Sequence, residues 1–337
     1  MERIKGLNEY VKNEKYRKAL NLPNEQEEEY IMLAQGEYNI NYSFTHPKTG
    51  KKLLLRVNCG SQMHLENQIG YECHALQLLE ASGRTPKVLY VDGSMKFLDH
   101  GVLVMEYLPG KALDYHTDLK YAAECLADIH SVRIPESESG LIRPENPLTA
   151  ILEECEEMVK IYMDSPLGKD EKKTYIRELL NIGWKREAEI QLESGYQCCI
   201  NTELNSTNFL IGGEGKSNYL IDWEKPLFGD PAQDLGHFLA PTTTFWKTDV
   251  ILREEEIENF LNEYLKCVGA RFDITGLKER TKIFMEITCL RGITWCAMAW
   301  VQYQQPDKLI INESTYRKLE DYLSDGFLEK IEIFLEQ

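Results

Sequence analysis

The most informative part of the chain is the stretch NTELNSTNFLIGGEGKSNYLIDWEKPLFGDPAQD, residues 201–234. Two short apolar segments, residues 209–211 and residues 219–221, flank a turn that contains three glycines. This pattern predicts a β-hairpin, because strand-forming runs separated by glycine-rich turns pair with each other. Asn208 directly precedes the first strand and Asp222 directly follows the second. The hairpin would therefore bring the side chain of Asp222 next to that of Asn208.

The polar residues around this hairpin suggest phosphoryl transfer. This reaction needs a group that accepts a hydroxyl proton, oxygen ligands for Mg²⁺, and a frame that holds both near the terminal phosphate of ATP. Kinases supply them with a carboxylate, an Asn five residues later and an Asp that follows a short hairpin. Glu203 stands five residues before Asn208. Glu203 is therefore the candidate catalytic carboxylate, Asn208 and Asp222 are the candidate Mg²⁺ ligands, and ATP is the expected nucleotide.

The same segment resembles the catalytic region of the aminoglycoside phosphotransferase and choline kinase family. That family has the pattern H-x-D-x-x-x-x-N, a hairpin, I-D-W/F-E and then G-D-P-x-x-D-L. IDWE at residues 221–224 and GDPAQDL at residues 229–235 match closely. The catalytic motif differs from the family pattern, because Asn201 stands in place of the His and Glu203 in place of the Asp. The resemblance covers roughly residues 33–304, and it implies a protein-kinase-like fold and ATP-dependent phosphorylation of a small-molecule hydroxyl.

Further residues gain roles from this resemblance. Asp230 and Asp234 match positions that hold the catalytic loop and cap the following helix. His130 matches a position where a buried, hydrogen-bonded histidine is expected. Trp295 and Trp300 match a late helix that carries tryptophans, whose faces can bind a cationic amine, although packing in the core is the more ordinary role of such residues.

The replacement of Asp by Glu203 leaves two functions open. The extra methylene lengthens the reach by roughly 1 Å, and misplacement of that size can cost about a hundredfold in rate. The transition state of phosphoryl transfer is loose, and its formation depends more on positioning and charge than on a strong base. A Glu can therefore act as the catalytic carboxylate. The chain is then a small-molecule kinase, or alternatively a nucleotide-binding pseudokinase with a regulatory or scaffold role. Retention of Asn208 and Asp222 favours the enzyme, and the absence of an A-P-E segment after Asp222 disfavours a protein kinase.

The order of the elements predicts an α+β fold with two lobes, a small β-rich N-terminal lobe and a larger, mostly helical C-terminal lobe. We expect a nucleotide-binding lobe at residues 1–108 and a catalytic and substrate-binding lobe at residues 109–337. The predicted N-terminal elements are strands at Tyr38–Phe44, Leu53–Val57, Val88–Val91 and Gly101–Tyr107 and a helix at Leu65–Ala81. The predicted C-terminal helices are Tyr121–His130, Leu148–Met163, Glu171–Glu193, Glu254–Val268, Leu277–Tyr303 and Ser314–Glu336, with the catalytic hairpin as the only strands.

Two charged residues lie within apolar patterns of the first lobe. Glu72 falls on the same helical stripe as the leucines and isoleucine of residues 65–79, and Arg56 lies inside the apolar strand LLLRV. A carboxylate on a core face is costly unless it is paired. An Arg56–Glu72 ion pair would explain both residues, and in kinases the corresponding pair positions the ATP phosphates. The alternative is that Arg56 lies at a sheet edge and Glu72 reaches solvent.

Two further segments are candidates for contacts with the nucleotide. Gly36, in AQGEYNINYSF, is the one glycine of the segment where the family places a loop over the phosphates, and it is equally consistent with an ordinary turn. GVLVMEYLPG resembles the segment whose backbone binds adenine in the family. Glu106 and Leu108 would supply those backbone contacts, so their side chains carry little information.

The composition and the net charge limit which partners are expected for this chain. The 337 residues are 43% hydrophobic, which is typical of a globular protein, and the formal net charge is −17. A nucleic acid or an anionic membrane surface is therefore not an expected partner, whereas a cationic acceptor would be attracted, although an acidic composition more often serves only solubility. The resemblance leaves aminoglycoside-, choline- and sugar-like acceptors open. Nine cysteines without a CxxC pair argue against a disulfide framework and fit a reducing, cytoplasmic setting. Residues 284–301 are apolar but contain Glu286 and Arg291, which predicts a buried helix and not a membrane span.

Overall fold

The first lobe is built on an antiparallel sheet. The computed structural model describes residues 3–36, 38–61, 63–190, 193–305 and 313–336. In chain order the first elements are α1 (Leu7–Tyr10), α2 (Glu14–Ala19), β1 (Ile31–Gln35), β2 (Asn39–Thr45), β3 (Lys52–Asn58), α3 (Gln68–Leu79), β4 (Val88–Asp92) and β5 (Gly101–Glu106). The five strands form one sheet in the order β1-β2-β3-β5-β4. The four strands and the helix predicted for this lobe are present. The turn between β2 and β3 is closed by a hydrogen bond of 2.8 Å from the His46 N–H to the Lys51 carbonyl.

The two faces of the sheet pack against different partners. Leu53, Leu55 and Val57 of β3 belong to a cluster that includes residues of α1 and α2. Leu54, on the opposite face, packs against a second cluster to which α3 and the C-terminal lobe contribute. Side chains alternate between faces along a strand. Arg56 therefore shares the face of Leu54 and points toward α3.

Strand β1 and the helices α1 and α2 were not predicted from the sequence. All five residues of β1 are exposed, and β1 lies at the edge of the sheet. An edge strand without a buried face lacks the alternation that identifies a half-buried strand. Helices α1 and α2 are only four and six residues long, too short for a clear helical period.

The segment after β5 leads into the second lobe and touches the catalytic hairpin. Lys111 forms two backbone hydrogen bonds with Ile211, of 3.1 and 2.7 Å. Gly110 has a φ of 151°, and a Cβ atom at this position would lie 2.6 Å from the backbone carbon of Leu210. Only glycine permits this backbone conformation and this close approach.

The second lobe is mostly helical. Its helices are α4 (Leu119–His130), α5 (Glu136–Ser139), α6 (Pro147–Asp164), α7 (Asp170–Glu189), α8 (Pro231–Leu239), α9 (Pro241–Thr248), α10 (Glu254–Val268), α11 (Leu277–Tyr303), α12 (Glu313–Tyr322) and α13 (Asp325–Glu336). Helix α11 is central, because it packs against α6, α7, α8, α9 and α12. None of the described helices is both long enough and apolar enough to traverse a bilayer.

Four short strands complete the second lobe. They are β6 (Cys198–Ile200), β7 (Phe209–Leu210), β8 (Tyr219–Leu220) and β9 (Leu227–Gly229). Strands β7 and β8 form the predicted hairpin. The prediction that this hairpin contains the only strands of the lobe was wrong, because β6 pairs with β9 through three residues each. Runs of that length carry no usable period.

Two predicted helix boundaries also differ from the structure. The helix expected at Glu171–Glu193 ends at Glu189, and residues 191 and 192 lie outside the described ranges. The helix expected at Ser314–Glu336 is two helices, α12 and α13, separated at residues 323–324. Boundaries are less visible in sequence than the existence of a helix, since apolar spacing can continue across a tight turn.

Candidate active site

A buried carboxylate holds the loop that carries Glu203. Asp234 of α8 has no exposed surface, and it accepts hydrogen bonds from the backbone N–H groups of Asn201 at 2.8 Å and Thr202 at 2.7 Å. His130 of α4 lies 3.2 Å from the same carboxylate and bonds through its other nitrogen to the Tyr264 hydroxyl at 2.8 Å. Asp234 thus ties the loop to α4 and α8, and His130 is buried and hydrogen-bonded, as expected for both residues.

Asp230 has the second structural position that the sequence suggested. Its carboxylate caps the first turn of α8 by accepting a hydrogen bond from the Ala232 N–H at 2.9 Å. Its other oxygen accepts a hydrogen bond from Arg280 of α11 at 2.5 Å. Such caps satisfy backbone donors that have no partner within the helix, so Asp230 fixes the start of α8 against α11.

Asn201 links the catalytic loop to the residue that follows the hairpin. Its side-chain oxygen accepts a hydrogen bond from the Glu203 N–H at 3.2 Å, and its side-chain nitrogen donates to the Asp222 carbonyl at 2.8 Å. An amide can make both contacts because it carries a donor and an acceptor. Asn201 therefore joins the backbones of Glu203 and Asp222 directly.

The hairpin places Asp222 beside Asn208. The Ile221 N–H donates to the Asn208 carbonyl at 2.9 Å, and the Asn208 side-chain nitrogen donates to the Glu203 carbonyl at 3.1 Å. These bonds leave the Asn208 side-chain oxygen without a hydrogen bond to another described residue. Asp222 has a φ of 68°, a left-handed conformation that is uncommon for residues other than glycine. Such strain persists only where the surroundings impose it, and it concentrates at functional sites.

The ion pair expected between Arg56 and Glu72 is present. The Nη1 atom of Arg56 contacts the Glu72 carboxylate, and both side chains are almost fully buried. The Nη2 atom of Arg56 lies 3.2 Å from Oδ1 of Asp222, and its Nε donates to the Asn41 side chain at 3.1 Å. Burial raises the pKa of Glu72 above its ordinary value, although the charge of Arg56 opposes this. Arg56 therefore connects the first lobe to Asp222.

Glu224 is a component of this site that the sequence did not single out. It accepts a hydrogen bond from Asn39 of β2, while Gln68 of α3 donates to its backbone carbonyl at 2.6 Å. Burial, followed by the charge of Asp222, raises the pKa of Glu224 to about 8. Glu72, Asp222 and Glu224 together place three carboxyl groups around the single guanidinium of Arg56. Because the pKa values of Glu72 and Glu224 are both raised, Asp222 is the carboxylate of this group best suited to a cation.

Glu203 is held from the opposite side by two basic residues. Its Oε1 atom lies 3.2 Å from Nη2 of Arg291 and 3.9 Å from Nζ of Lys225. Arg291 belongs to α11, and Lys225 follows Glu224 in the chain. Neither residue was assigned to the site from the sequence. The Glu203 carboxylate thus ends between two cations, on the side of the loop that faces the helices of the second lobe.

Glu154 of α6 completes this charged group. Its oxygens lie 2.9 and 3.0 Å from nitrogens of Arg291 and 3.2 Å from Nζ of Lys225. Burial alone would raise the pKa of Glu154, but the charges of Arg291 and Lys225 outweigh burial and lower it to about 2. Glu154 is therefore ionised at neutral pH. We refer to Glu154, Glu203, Lys225 and Arg291 as the ionic cluster.

A small cavity adjoins the ionic cluster. Its volume is about 140 Å³. The lining residues are Pro144, Pro147, Ala150, Ile151, Glu154, Thr202, Lys225, Leu227, Gln233, His237, Thr288 and Arg291. It lies next to Glu203, because Lys225 and Arg291 contact Glu203 and also line the cavity. The sequence did not indicate this cavity.

The remaining predicted residues lie in the first lobe. Gly36 is part of the turn between β1 and β2, where its N–H donates to the Asn39 carbonyl at 2.9 Å. Because Asn39 also contacts Glu224, this turn is held toward the end of the catalytic hairpin. Glu106 ends β5, and Leu108 follows it in the segment without regular structure that leads to the second lobe. The backbone of Leu108 forms no hydrogen bond with another described residue.

Trp295 and Trp300 do not line the cavity. Trp295 packs edge-on against Trp246 with ring centroids 5.1 Å apart, and Trp300 packs against Tyr162 at 6.0 Å. Both residues contribute to the packing of α11, which was the more ordinary of the two roles considered for them.

Comparison with known proteins identifies the family. The model of the phosphotransferase enzyme family matches residues 30–279. This match spans most of the chain, so the chain belongs to the phosphotransferase enzyme family. A search of curated proteins found no match.

Solved structures share the protein-kinase-like fold with its two lobes. Choline kinase from Cryptosporidium parvum aligns with a TM-score of 0.68 at 14% identity, covering 98% of this chain and 97% of that chain. Ethanolamine kinase from Plasmodium vivax aligns with a TM-score of 0.65 at 17% identity, covering 96% and 91%. A spectinomycin phosphotransferase in complex with ADP and spectinomycin aligns with a TM-score of 0.62 at 15% identity, covering 92% and 93%. At these identities the similarity defines the fold.

Proposed function

We propose that this protein uses ATP and Mg²⁺ to phosphorylate the hydroxyl group of a small molecule. The main support for this proposal is the position of Asp222. Its Oδ1 atom lies 3.2 Å from Nη2 of Arg56, which is paired with Glu72. Its backbone carbonyl is hydrogen-bonded to the loop that carries Glu203. On this proposal, the groups that bind the nucleotide, the metal and the acceptor hydroxyl lie next to one another. Membership of the phosphotransferase enzyme family supports the same conclusion.

Asn208 and Asp222 are the proposed ligands of Mg²⁺. Both offer oxygen atoms, which this metal prefers, and the Asp222 carboxylate would supply negative charge. Among the described residues, no cluster of three or more His, Cys, Asp or Glu side chains could hold a metal. The nucleotide would therefore complete the coordination, as is common for Mg²⁺. Bound Mg²⁺ would supply positive charge that neutralises the phosphate oxygens.

Residues of the first lobe are proposed to hold ATP. Arg56, fixed by Glu72, would contact the phosphates, and the turn containing Gly36 would cover them. The backbone groups of Glu106 and Leu108 would bind the adenine. The free backbone of Leu108 supports this placement, since unpaired backbone groups are available for a ligand. On this proposal residues 1–108 form the nucleotide-binding lobe and residues 109–337 the catalytic and acceptor-binding lobe.

Glu203 is proposed to orient the acceptor hydroxyl and to accept its proton. The loop around it is fixed by Asp234 and Asn201, so its backbone is positioned before any ligand binds. Arg291 and Lys225 restrain its longer side chain. This restraint addresses the main objection to Glu at this position, because phosphoryl transfer depends chiefly on alignment.

Nucleotide binding provides the first test. A ligand that binds the native state raises the melting temperature by mass action. We expect ATP with Mg²⁺ to stabilise the wild type, and Asp222→Ala to remove the Mg²⁺-dependent part of the shift. Asp249→Ala is the matched control, because Asp249 is also left-handed, with a φ of 60°, but lies at the end of α9.

The possible results separate the candidate functions. No stabilisation by saturating ATP and Mg²⁺ would contradict the proposal. Equal loss of the shift in Asp249→Ala would mean that Asp222 has no specific role. A third result is that nucleotide stabilises the protein but no small alcohol, amino alcohol or aminoglycoside stimulates ADP release. This result would instead support a nucleotide-binding pseudokinase.

A further inference from the structure

Three side chains of the 140 Å³ cavity have hydrogen-bonding groups without partners. They are Gln233 and His237 of α8 and Thr288 of α11. Gln233 is only 8% exposed and Thr288 only 5%. None of the three side chains makes a hydrogen bond to another described residue. The polar groups of these three side chains reach the cavity, so they are available to hydrogen-bond a ligand there.

The cavity carries no free negative charge to attract a cation. Its one carboxylate, Glu154, is neutralised by Arg291 and Lys225, which also line the cavity. No described lining residue is aromatic. Recognition of ammonium groups uses aromatic faces, which this cavity lacks, and the two cations and two carboxylates of the ionic cluster are paired with each other.

We propose that this cavity is the acceptor subsite, and that it selects an uncharged polyhydroxylated molecule, such as a sugar or sugar alcohol, over an amine. This inference rests on the proposed function, and among the acceptor classes that the sequence left open it selects the neutral, sugar-like one. Gln233, His237 and Thr288 are the specificity-determining residues. Between them they offer both donors and acceptors, which suits hydroxyl groups because a hydroxyl both donates and accepts.

The protonation state of His237 agrees with a role in binding hydroxyl groups. Burial, followed by the charge of Arg291, lowers the pKa of His237 to about 3. The imidazole is therefore neutral at physiological pH, with one donor nitrogen and one acceptor nitrogen. A neutral histidine adds no charge to the cavity and can bond a hydroxyl in either direction.

The position of the cavity relative to Glu203 fits transfer to one hydroxyl of a polyol. Lys225 and Arg291 line the cavity and also contact the Glu203 carboxylate. A polyol bonded to Gln233, His237 and Thr288 would thus have a further hydroxyl available to Glu203. A site built to bond hydroxyl groups rejects analogues that lack them, because its own buried polar groups are then left unpaired.

The test compares acceptors with the full-length protein. ADP release from ATP and Mg²⁺ is measured with D-ribose, D-glucose, D-fructose, myo-inositol and glycerol, and in parallel with choline, ethanolamine and kanamycin. We expect at least one polyol to stimulate ADP release with a kcat/KM that exceeds those of the amines by about tenfold or more.

Variants connect this selectivity to the cavity. Thr288→Val and Gln233→Leu remove hydrogen-bonding groups with little change in volume. Each should raise the KM for the polyol by about threefold to tenfold, with little change in kcat or in the KM for ATP. Thr281→Val is the matched control, because the Thr281 hydroxyl is also buried in α11 but bonds the Leu277 carbonyl at 2.8 Å. It should leave the KM for the polyol unchanged.

Each outcome bears on the inference. Turnover of an amine in preference to every polyol would overturn it and leave the proposed function intact. ATP binding without stimulation by any polyol would also overturn it, as would unchanged KM values in both Thr288→Val and Gln233→Leu. Absence of nucleotide binding would instead remove the proposed function, and the inference with it.

Discussion

The Glu203 carboxylate lies 3.2 Å from Nη2 of Arg291, and Arg291 is itself held by Glu154 through contacts of 2.9 and 3.0 Å. The candidate catalytic carboxylate is thus restrained by the long helix α11 and, through it, by α6. An aspartate would be one methylene shorter. The contact with Arg291 therefore gives a physical reason why a glutamate is tolerated at this position.

Loss of the Arg291 guanidinium should slow turnover through the position of Glu203. We expect Arg291→Gln to lower kcat by about tenfold to a hundredfold, because small misplacements of an aligned group have effects of that size. The KM for ATP should change little, since Arg291 lies on the acceptor side. Steady-state kinetics with a productive acceptor measures both constants.

An ion pair on the same helix as Glu154 provides the control for Arg291→Gln. Arg177 of α7 contacts Glu156 of α6 at 2.7 Å, with the Arg177 side chain 43% exposed. Exposed pairs contribute little, so Arg177→Gln should leave kcat near the wild-type value. An equal fall in kcat in both variants would point to a general effect on folding.

Arg56 and Glu72 should be coupled in nucleotide binding. In a double-mutant cycle on ATP affinity, Arg56→Met and Glu72→Gln should deviate from additivity by about 0.5 kcal/mol or more, since the two groups are in contact. Titration calorimetry with ATP and Mg²⁺ measures the four affinities. Strictly additive effects would contradict joint positioning of the phosphates.

The first lobe contains a matched control pair. Arg17 and Glu28 form a buried ion pair with a contact of 2.7 Å, but they pack with α2 and away from Asp222. Arg17→Met and Glu28→Gln should reduce stability, because breaking a buried pair leaves an uncompensated charge. Once corrected for folded fraction, their ATP affinity should equal that of the wild type.

His237 should make stability depend on pH. Its pKa falls from 6.5 to about 3 on folding, because burial and the charges of Arg291 and Lys225 outweigh Asp234 and Glu154. Between these values the unfolded chain binds the proton and the folded chain does not. The contribution of His237 is thus fully present above pH 6.5 and is lost progressively as the pH falls toward 3.

Substitution of His237 should flatten that dependence. We expect the free energy of unfolding of His237→Gln to fall less between pH 7 and pH 5 than that of the wild type, by about 1–2 kcal/mol. Urea denaturation at a series of pH values measures the difference. Identical pH profiles for the two proteins would show that the imidazole titrates alike in both states.

The sequence predicts those parts of the site that lie close together in the chain or break a local pattern. Glu203, Asn208 and Asp222 are joined by a short hairpin, so their spacing alone indicates their proximity. Arg56 and Glu72 are visible because each charge interrupts an apolar pattern that would otherwise continue. The α+β class follows from the change from strand to helix periods along the chain.

The acceptor side was not predictable in the same way. Glu154 and Arg291 are separated by 137 residues and meet only because α6 packs on α11. Periodicity assigns a residue to a face of a helix but does not name its tertiary partner. One signal was present, since Arg291 lies in an otherwise apolar stretch and a buried charge requires a partner. Gln233 and His237 carried no such signal, because both lie in the short helix α8, whose neighbours are set by the fold.

Transfer of the terminal phosphate of ATP to an acceptor is the most direct measurement of the proposed function. With radiolabelled ATP, Mg²⁺ and a polyol acceptor, the wild type should form a labelled phosphate ester. Glu203→Gln should form it about 10²–10⁴ times more slowly while binding ATP with similar affinity, which is the scale expected for a general base. Equal rates in the two proteins, or no labelled product from a wild type saturated with ATP and with every acceptor, would contradict phosphotransfer by Glu203.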